Sequence, residues 1–121
     1  MATWTEPKTD WVDGDYFNVD PDYLRIQGNI LYLIQIGEAK FPLITIRVNP
    51  PSDYSVNDVP TPEFFNTIVT DIVELLSIVD SSATTILSDI QYEDNGTAWN
   101  AEVLNEIEYQ TGYIKGVIEA A

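Results

Sequence analysis

Apolar residues recur at steps of three and four in three separate stretches of this chain, and that spacing predicts three helices. Over about 20–38 the stripe is Tyr23, Ile26, Ile30 and Leu33, widened by Leu24, Leu31 and Ile34. Over about 62–80 it is Phe65, Ile68, Ile72, Leu75 and Val79, with Phe64, Val69 and Val73 broadening the arc. Over about 101–119 it is Leu104, Ile107, Thr111, Ile114 and Ile118. A three-four alternation suits helices that cross at about 20° in bundles and coiled coils. The second and third stripes are therefore expected to form either the core or an oligomer seam.

The intervening segments read differently. Residues 41–48, Phe-Pro-Leu-Ile-Thr-Ile-Arg-Val, alternate Ile44, Ile46 and Val48 with Thr45 and Arg47 before Asn49-Pro50-Pro51, which predicts a strand or extended edge. Thr84-Thr85-Ile86-Leu87 favours β structure by composition but without clean alternation. Asp94-Asn95-Gly96 has the residue types of a turn. The expected architecture is mainly α: a three-helix core with one or two short β segments, at 41–48 and optionally 84–91. An extended arm, residues 1–16, precedes it, because Pro7 blocks regular pairing and Gly14 breaks the chain. No linker interrupts the sequence, so 1–121 reads as one domain, with 17–121 as its helical part.

The helix starts share a phrase. Thr61-Pro62-Glu63-Phe64-Phe65-Asn66-Thr67-Ile68 and Asn100-Ala101-Glu102-Val103-Leu104-Asn105-Glu106-Ile107 align without a gap: cap, small residue or Pro, Glu, two apolar residues, Asn, any residue, Ile. A looser copy opens the first helix, where Phe17-Asn18-Val19-Asp20 echoes Trp99-Asn100-Ala101-Glu102 and the match resumes only after one extra residue at Pro21. Its cap is then Asn18 or Asp20. A cap oxygen satisfies an orphan backbone N–H, the acid favours the helix dipole, and the apolar pair starts the buried stripe. The phrase is explained by independent helix starts or by internal duplication, and in neither case does it specify a reactive group.

Charge changes the picture of partners. The chain has 20 acidic and 5 basic residues among 121, a formal net charge of -15. Lys8, Arg25, Lys40, Arg47 and Lys115 are too few and too scattered to track phosphates, so nucleic acid and anionic membrane are excluded as expected partners. The acid excess is either a solvated surface or, in part, a match for a basic patch on a neighbour. Cys and His are both absent, which removes disulfides, thiolate ligands and the usual proton-transfer residue. The start carries no basic-then-apolar leader, and the apolar runs at 30–36 and 72–79 are far shorter than the roughly 20 residues of a membrane helix, so a soluble product made in the cytoplasm is expected.

Candidate chemistry is sparse. Asp13 and Asp15 flank Gly14, Asp20 and Asp22 flank Pro21, and Glu93-Asp94-Asn95 form an acidic turn, yet none has the spacing of a calcium loop. Asn95-Gly96-Thr97 matches a glycosylation acceptor, a pattern short enough to arise by chance. No catalytic, cofactor-binding or metal-binding residue is expected, and the chain does not read as an enzyme.

The opening Trp4-Thr5-Glu6-Pro7-Lys8-Thr9-Asp10-Trp11-Val12-Asp13-Gly14-Asp15, then Phe17-Asn18 and Tyr23-Leu24-Arg25-Ile26-Gln27-Gly28-Asn29-Ile30, resembles a segment near the start of structural virion proteins of tailed phages and prophages of Gram-positive bacteria. There the run is Trp-Thr-x-Pro-Lys-Thr-x-Trp, a Gly-Asp pair, then Asp-x-Asn-Arg-Ile and an Asn-Ile. Leu24 stands where that family usually has Asn. The resemblance spans roughly the first 35 residues, with Asn66-Thr67-Ile68 and Asn105-Glu106-Ile107 as weak echoes of Asn-Arg-Ile.

What the resemblance implies is a tail, baseplate or fibre-attachment component located in the virion, contacting other virion proteins and assembling as a ring or trimer. On that reading the arm, residues 3–15, docks on a neighbouring subunit, and its removal abolishes assembly while leaving the helices folded. The candidate interface residues are Trp4 and Trp11 with Pro7 and Lys8 between them, the aromatic residues Phe17 and Trp99 ahead of two helix starts, and Gly112 and Gly116. Trp is enriched where interface energy concentrates, but both arm tryptophans can equally lie back over the chain's own helices. The glycines, with Ala120, make a small-residue stripe that admits a close backbone or else loosens the last helix. The alternative to a virion part is an acidic inhibitory module that mimics nucleic acid in a basic groove.

Overall fold

A computed structural model describes residues 3–15, 19–49, 62–89 and 100–121; the side chains of residues 19, 20, 62–65 and 89 are outside the described set. The first helix begins as a π-helical turn, Val19–Tyr23, and continues as α1, Leu24–Gly37. A short α2, Leu43–Arg47, follows, then α3, Pro62–Val79, a 3₁₀ turn at Ile86–Asp89, and α4, Ala101–Ala120. The three long helices fall where the apolar periodicity predicts them. The π turn holds the extra residue, Pro21, that breaks the alignment of the first helix start, since an i→i+5 turn takes up one residue more than an α turn.

The stripes meet one another inside the chain. Tyr23, Ile26, Ile30 and Leu33 of the first helix, Ile68, Ile72 and Leu75 of α3, and Leu104, Ile107, Ile114 and Ile118 of α4 are all buried in one cluster. The α3–α4 interface is the most extensive and α1–α4 comes next, so α4 is the helix on which the others converge. Of the two expected roles for the second and third stripes, core is the one this chain realises. At the start of α4 the Asn100 side chain accepts from the Val103 N–H at 2.9 Å, the cap its sequence predicts. The matching positions Asn18 and Thr61, and the 94–96 turn, lie outside the described residues.

The β assignments fail. Residues 41–48 form a helical turn, with Ile44 N–H donating to Phe41 O at 3.0 Å and Val48 N–H to Ile44 O at 3.0 Å. A strand would place Ile44, Ile46 and Val48 on one face, whereas the structure buries Ile44 and Val48, four apart, and leaves Ile46 78% exposed. A step of four is also a helical step. Phe41 is still tied to the end of α1 through its N–H to Gly37 O at 2.8 Å, and Pro42 already has helical angles, so the chain turns before it can extend. Around 84–91 the described part is a 3₁₀ turn organised by Thr85, whose hydroxyl accepts from Leu87 N–H at 3.2 Å and donates to Glu106 at 2.5 Å. That turn drives Leu87 into the core against α3 and α4.

Close packing at the end of α1 is sterically demanding. A β-carbon on Gly37 would lie 2.6 Å from Ile44 Cδ1 and 3.1 Å from Ile118 Cδ1, and both isoleucines are fully buried. One on Gly116 would meet nothing within 4 Å. Gly37→Ala should therefore lower stability by about 1–3 kcal/mol through overpacking, and Gly116→Ala should raise it by about 0.5–1 kcal/mol through helix propensity. Urea unfolding midpoints of the two variants test the opposite signs.

Asp71 in the middle of α3 is only 2% exposed, its Oδ2 has no hydrogen-bond partner, and burial pushes its carboxyl up to about 7 from an ordinary 3.8. The folded state keeps this proton when the unfolded chain has lost it, so the group is harmless below about pH 4. It becomes destabilising between about 4 and 7, and stays so above. Asp71→Asn should raise the unfolding midpoint at about pH 8, and the gain should shrink steadily towards about pH 5.

A buried clamp between the arm and two helices

The arm needs hydrogen-bond partners for an extended backbone, and no strand among the described residues supplies them. Two asparagines do so instead. Asn29 of α1 accepts from Thr5 N–H at 2.9 Å and donates to Thr5 O at 2.8 Å. Asn105 of α4 accepts from Trp11 N–H at 2.8 Å and donates to Trp11 O at 3.0 Å. Each amide imitates one rung of a β ladder. Beyond Trp11 the chain turns at residues 12–15, where Asp15 N–H donates to Val12 O at 3.1 Å and Gly14 takes a φ of +99°, a conformation that favours glycine. The turn brings Asp13 to the start of α4, where its carboxylate accepts from Ala101 N–H at 3.4 Å.

Between the two rungs lies the centre of the site. Glu108 of α4 is 1% exposed, and its carboxylate accepts four donors. They are Arg25 Nε at 2.6 Å and Lys8 N–H at 3.0 Å on Oε1, with Trp11 Nε1 at 2.7 Å and Arg25 Nη2 at 2.8 Å on Oε2. Arg25 also reaches Asp22 at 3.3 Å. The Glu108 hydrogen bond, more than the nearby Asp22 charge, holds the Arg25 guanidinium above its ordinary range. A bidentate guanidinium and two neutral N–H donors fill the lone pairs of a desolvated carboxylate. Trp11 itself is 4% exposed, so one side chain contributes both an apolar body to the core and a donor to its charge.

The remaining arm candidates line the same seam. Trp4 is half-buried against Tyr32, ring centroids 5.7 Å apart, with the Lys115 ammonium 5.3 Å above its ring. Pro7 lies 4.0 Å from where a β-carbon on Gly112 would stand, and the Thr3 carbonyl bears the same relation to Gly28. Lys8 pairs with Asp10 at 2.8 Å and sits 5.0 Å from the Trp11 ring centre. Gly116 is exposed and takes no part, while Phe17 and Trp99 lie outside the described residues.

The arm lies over its own helices, with Trp11 buried inside the chain. Glu108, Asn29 and Asn105 of the helices take hydrogen-bond partners from it. Glu108 and Arg25 are not among the candidate residues that the sequence alone singles out. The available signal was an acid set among Leu104, Ile107 and Thr111, and a base set between Tyr23 and Ile26.

Among the described residues no three acidic side chains converge on a point that could hold a metal ion, and no helix is long and apolar enough to cross a membrane. The chain matches no family model, no curated protein and no solved structure.

Removing one partner of a buried ion pair costs about 3–5 kcal/mol, whereas losing one neutral donor to a charge costs about 1.5–3 kcal/mol. Glu108→Gln should therefore destabilise more than Trp11→Phe, and a chain lacking residues 1–15 should unfold at lower urea than the full chain. Circular dichroism at 222 nm, a helix-sensitive wavelength of about that value, follows all three.

Proposed function

We propose that this chain is a structural or assembly component of a tailed-phage virion, of the tail, baseplate or fibre-attachment apparatus, working through protein contacts and not through catalysis. The observation that carries this reading is the opening run from Trp4 to Ile30, which resembles that class of protein. Its Trp11, Lys8, Arg25 and Asn29 belong to one connected set of contacts joining the arm to α1 and α4. A segment whose shared residues build a common scaffold is consistent with a module that presents other surfaces to its neighbours. Homo-oligomerisation as a ring or trimer belongs to the same proposal.

A second reading is favoured by charge. With a net charge of -15, the chain has the electrostatics of an inhibitory module seated in a basic groove of a partner enzyme. Mass spectrometry of purified particles, with light scattering of the isolated protein, separates the two. The virion proposal expects the chain in particles at a fixed copy number and a discrete oligomer in solution. Absence from particles, with a monomer that co-purifies with a basic enzyme, would sink it in favour of the inhibitor.

A further inference from the structure

The arm runs antiparallel to α4 and meets it at steps of three and four along the helix. The Lys115 ammonium stands over the Trp4 ring, Pro7 lies beside Gly112, the Lys8 N–H reaches Glu108, and the Trp11 backbone pairs with Asn105. The groups that grip the arm read mostly backbone: the Asn29 and Asn105 amides take main-chain groups of Thr5 and Trp11, one oxygen of Glu108 takes a main-chain N–H, and its other oxygen takes the Trp11 indole. The groove between α1 and α4 is thus a receptor for one extended segment. Such a groove binds that segment equally well from its own chain or from another copy.

What assigns the arm to its own groove is the elbow at residues 12–15. All four of these residues are exposed, so closing the elbow buries no apolar side chain. It is held by Asp15 N–H to Val12 O at 3.1 Å and by Val12 N–H to the Asp15 carboxylate at 3.0 Å, with Gly14 at a φ of +99°. Exposed bonds of this kind are replaced by bonds to water when the elbow opens. Asp13 lies on the arm side of Gly14, so its contact with Ala101 N–H travels with the arm. Val12 is left in water by the closed elbow, 62% exposed. In a closed symmetric exchange of arms the elbows gather beside the symmetry axis, where each Val12 is covered by its counterpart.

We infer that the arm is exchanged between copies of this chain: residues 4–11 of one copy occupy the α1–α4 groove of a second, and the Trp11 indole and Lys8 N–H of the first complete the Glu108 site of the other. The inference rests on the homo-oligomerisation that belongs to the proposed function. Extending the chain at Gly14 lifts the arm from its own groove, and every groove contact re-forms in the receiving copy, so the balance is set by the elbow and by protein concentration. A copy with an empty groove is scarce, because Glu108 would then keep only Arg25. Passing arms around a ring or trading them within a pair uses the same contacts.

The test uses the full-length protein in about 0.15 M salt, which screens the repulsion between copies of net charge -15. Light scattering over a range of protein concentration gives the copy number. An equal mixture of nitrogen-labelled and carbon-labelled protein, refolded together from urea, reports by isotope-filtered NMR which groove each arm occupies. The expected result is an oligomer with a cross-copy nuclear Overhauser effect between the Trp11 indole N–H of the nitrogen-labelled copy and the Glu108 methylenes of the carbon-labelled one. Gly14→Val opposes the positive φ of the closed elbow and suits an extended one, so it should strengthen association about fivefold or more for each elbow in the assembly. A β-carbon at Gly14 would meet nothing within 4 Å, so this substitution leaves groove and core intact. A monomer at every concentration, or association unmoved by Gly14→Val, would overturn the inference. An oligomer whose Trp11–Glu108 effect stays within each copy would also overturn it, while leaving homo-oligomerisation standing through another surface. Exchange by a chain that is absent from particles would leave the inference standing and remove only the virion proposal.

Discussion

The Glu108 carboxylate, closed off from water in the middle of α4, is the constraint around which this structure is arranged. A buried carboxylate is tolerated only when its lone pairs are filled, and here the donors come from three places in the sequence: Arg25 on α1, the backbone at Lys8 and the indole of Trp11. Satisfying Glu108 therefore fixes the rotation of α1 against α4 and the register of the arm at once. The Asn29 and Asn105 rungs then lock the arm on either side of that point. An apolar seam of the same area would hold these pieces together with less geometric demand, because hydrophobic contact is not directional. The polar seam accepts a lower net gain in return for one defined alignment.

How far the sequence discloses this depends on the range of the forces involved. The helices were legible because burial repeats with the helical period over 14 to 20 residues, as in α1 and α4, and the Asn100 cap because it acts within three residues. Residues 41–48 misled because Ile44, Ile46 and Val48 satisfy a two-residue period while Ile44 and Val48 also satisfy a four-residue one, and only the tie of Phe41 to Gly37 decides between them. Thr85 misled in the same way: its β preference yields to a hydroxyl that bonds both its own turn and Glu106. The Glu108 clamp joins residues 83 and 97 positions apart, and nothing in local pattern couples them. The tryptophans were recognisable as anchors, but the sequence does not say in which chain they anchor.

Net charge acquires a sharper meaning once the five basic side chains are located. Each is engaged within the chain, by a carboxylate or, for Lys40, by the carbonyls that end α4. Acidic residues outnumber basic ones by 20 to 5, so the field of the protein is one-signed beyond its surface. Such a field raises the rate of encounter with basic surfaces and repels acidic ones, but it does not choose among basic partners. Choice requires short-range geometry.

That geometry is divided among three faces of α4. Leu104, Ile107, Thr111, Ile114 and Ile118 serve the core; Asn105, Glu108 and Gly112 hold the arm; Glu106, Tyr109, Gln110 and Tyr113 border the segment that follows α3. The division explains why the last helix has a narrower apolar stripe than α3 even though more of the chain packs against it. It also separates two roles that the sequence alone merges. The tryptophans of the opening run are committed to holding the arm, so surfaces left for a further partner are those the arm does not cover, and a residue belongs to such a surface when its exposure is unexplained by the fold. Tyr109 and Tyr113 meet that condition, as do Leu43 and Ile46 on α2.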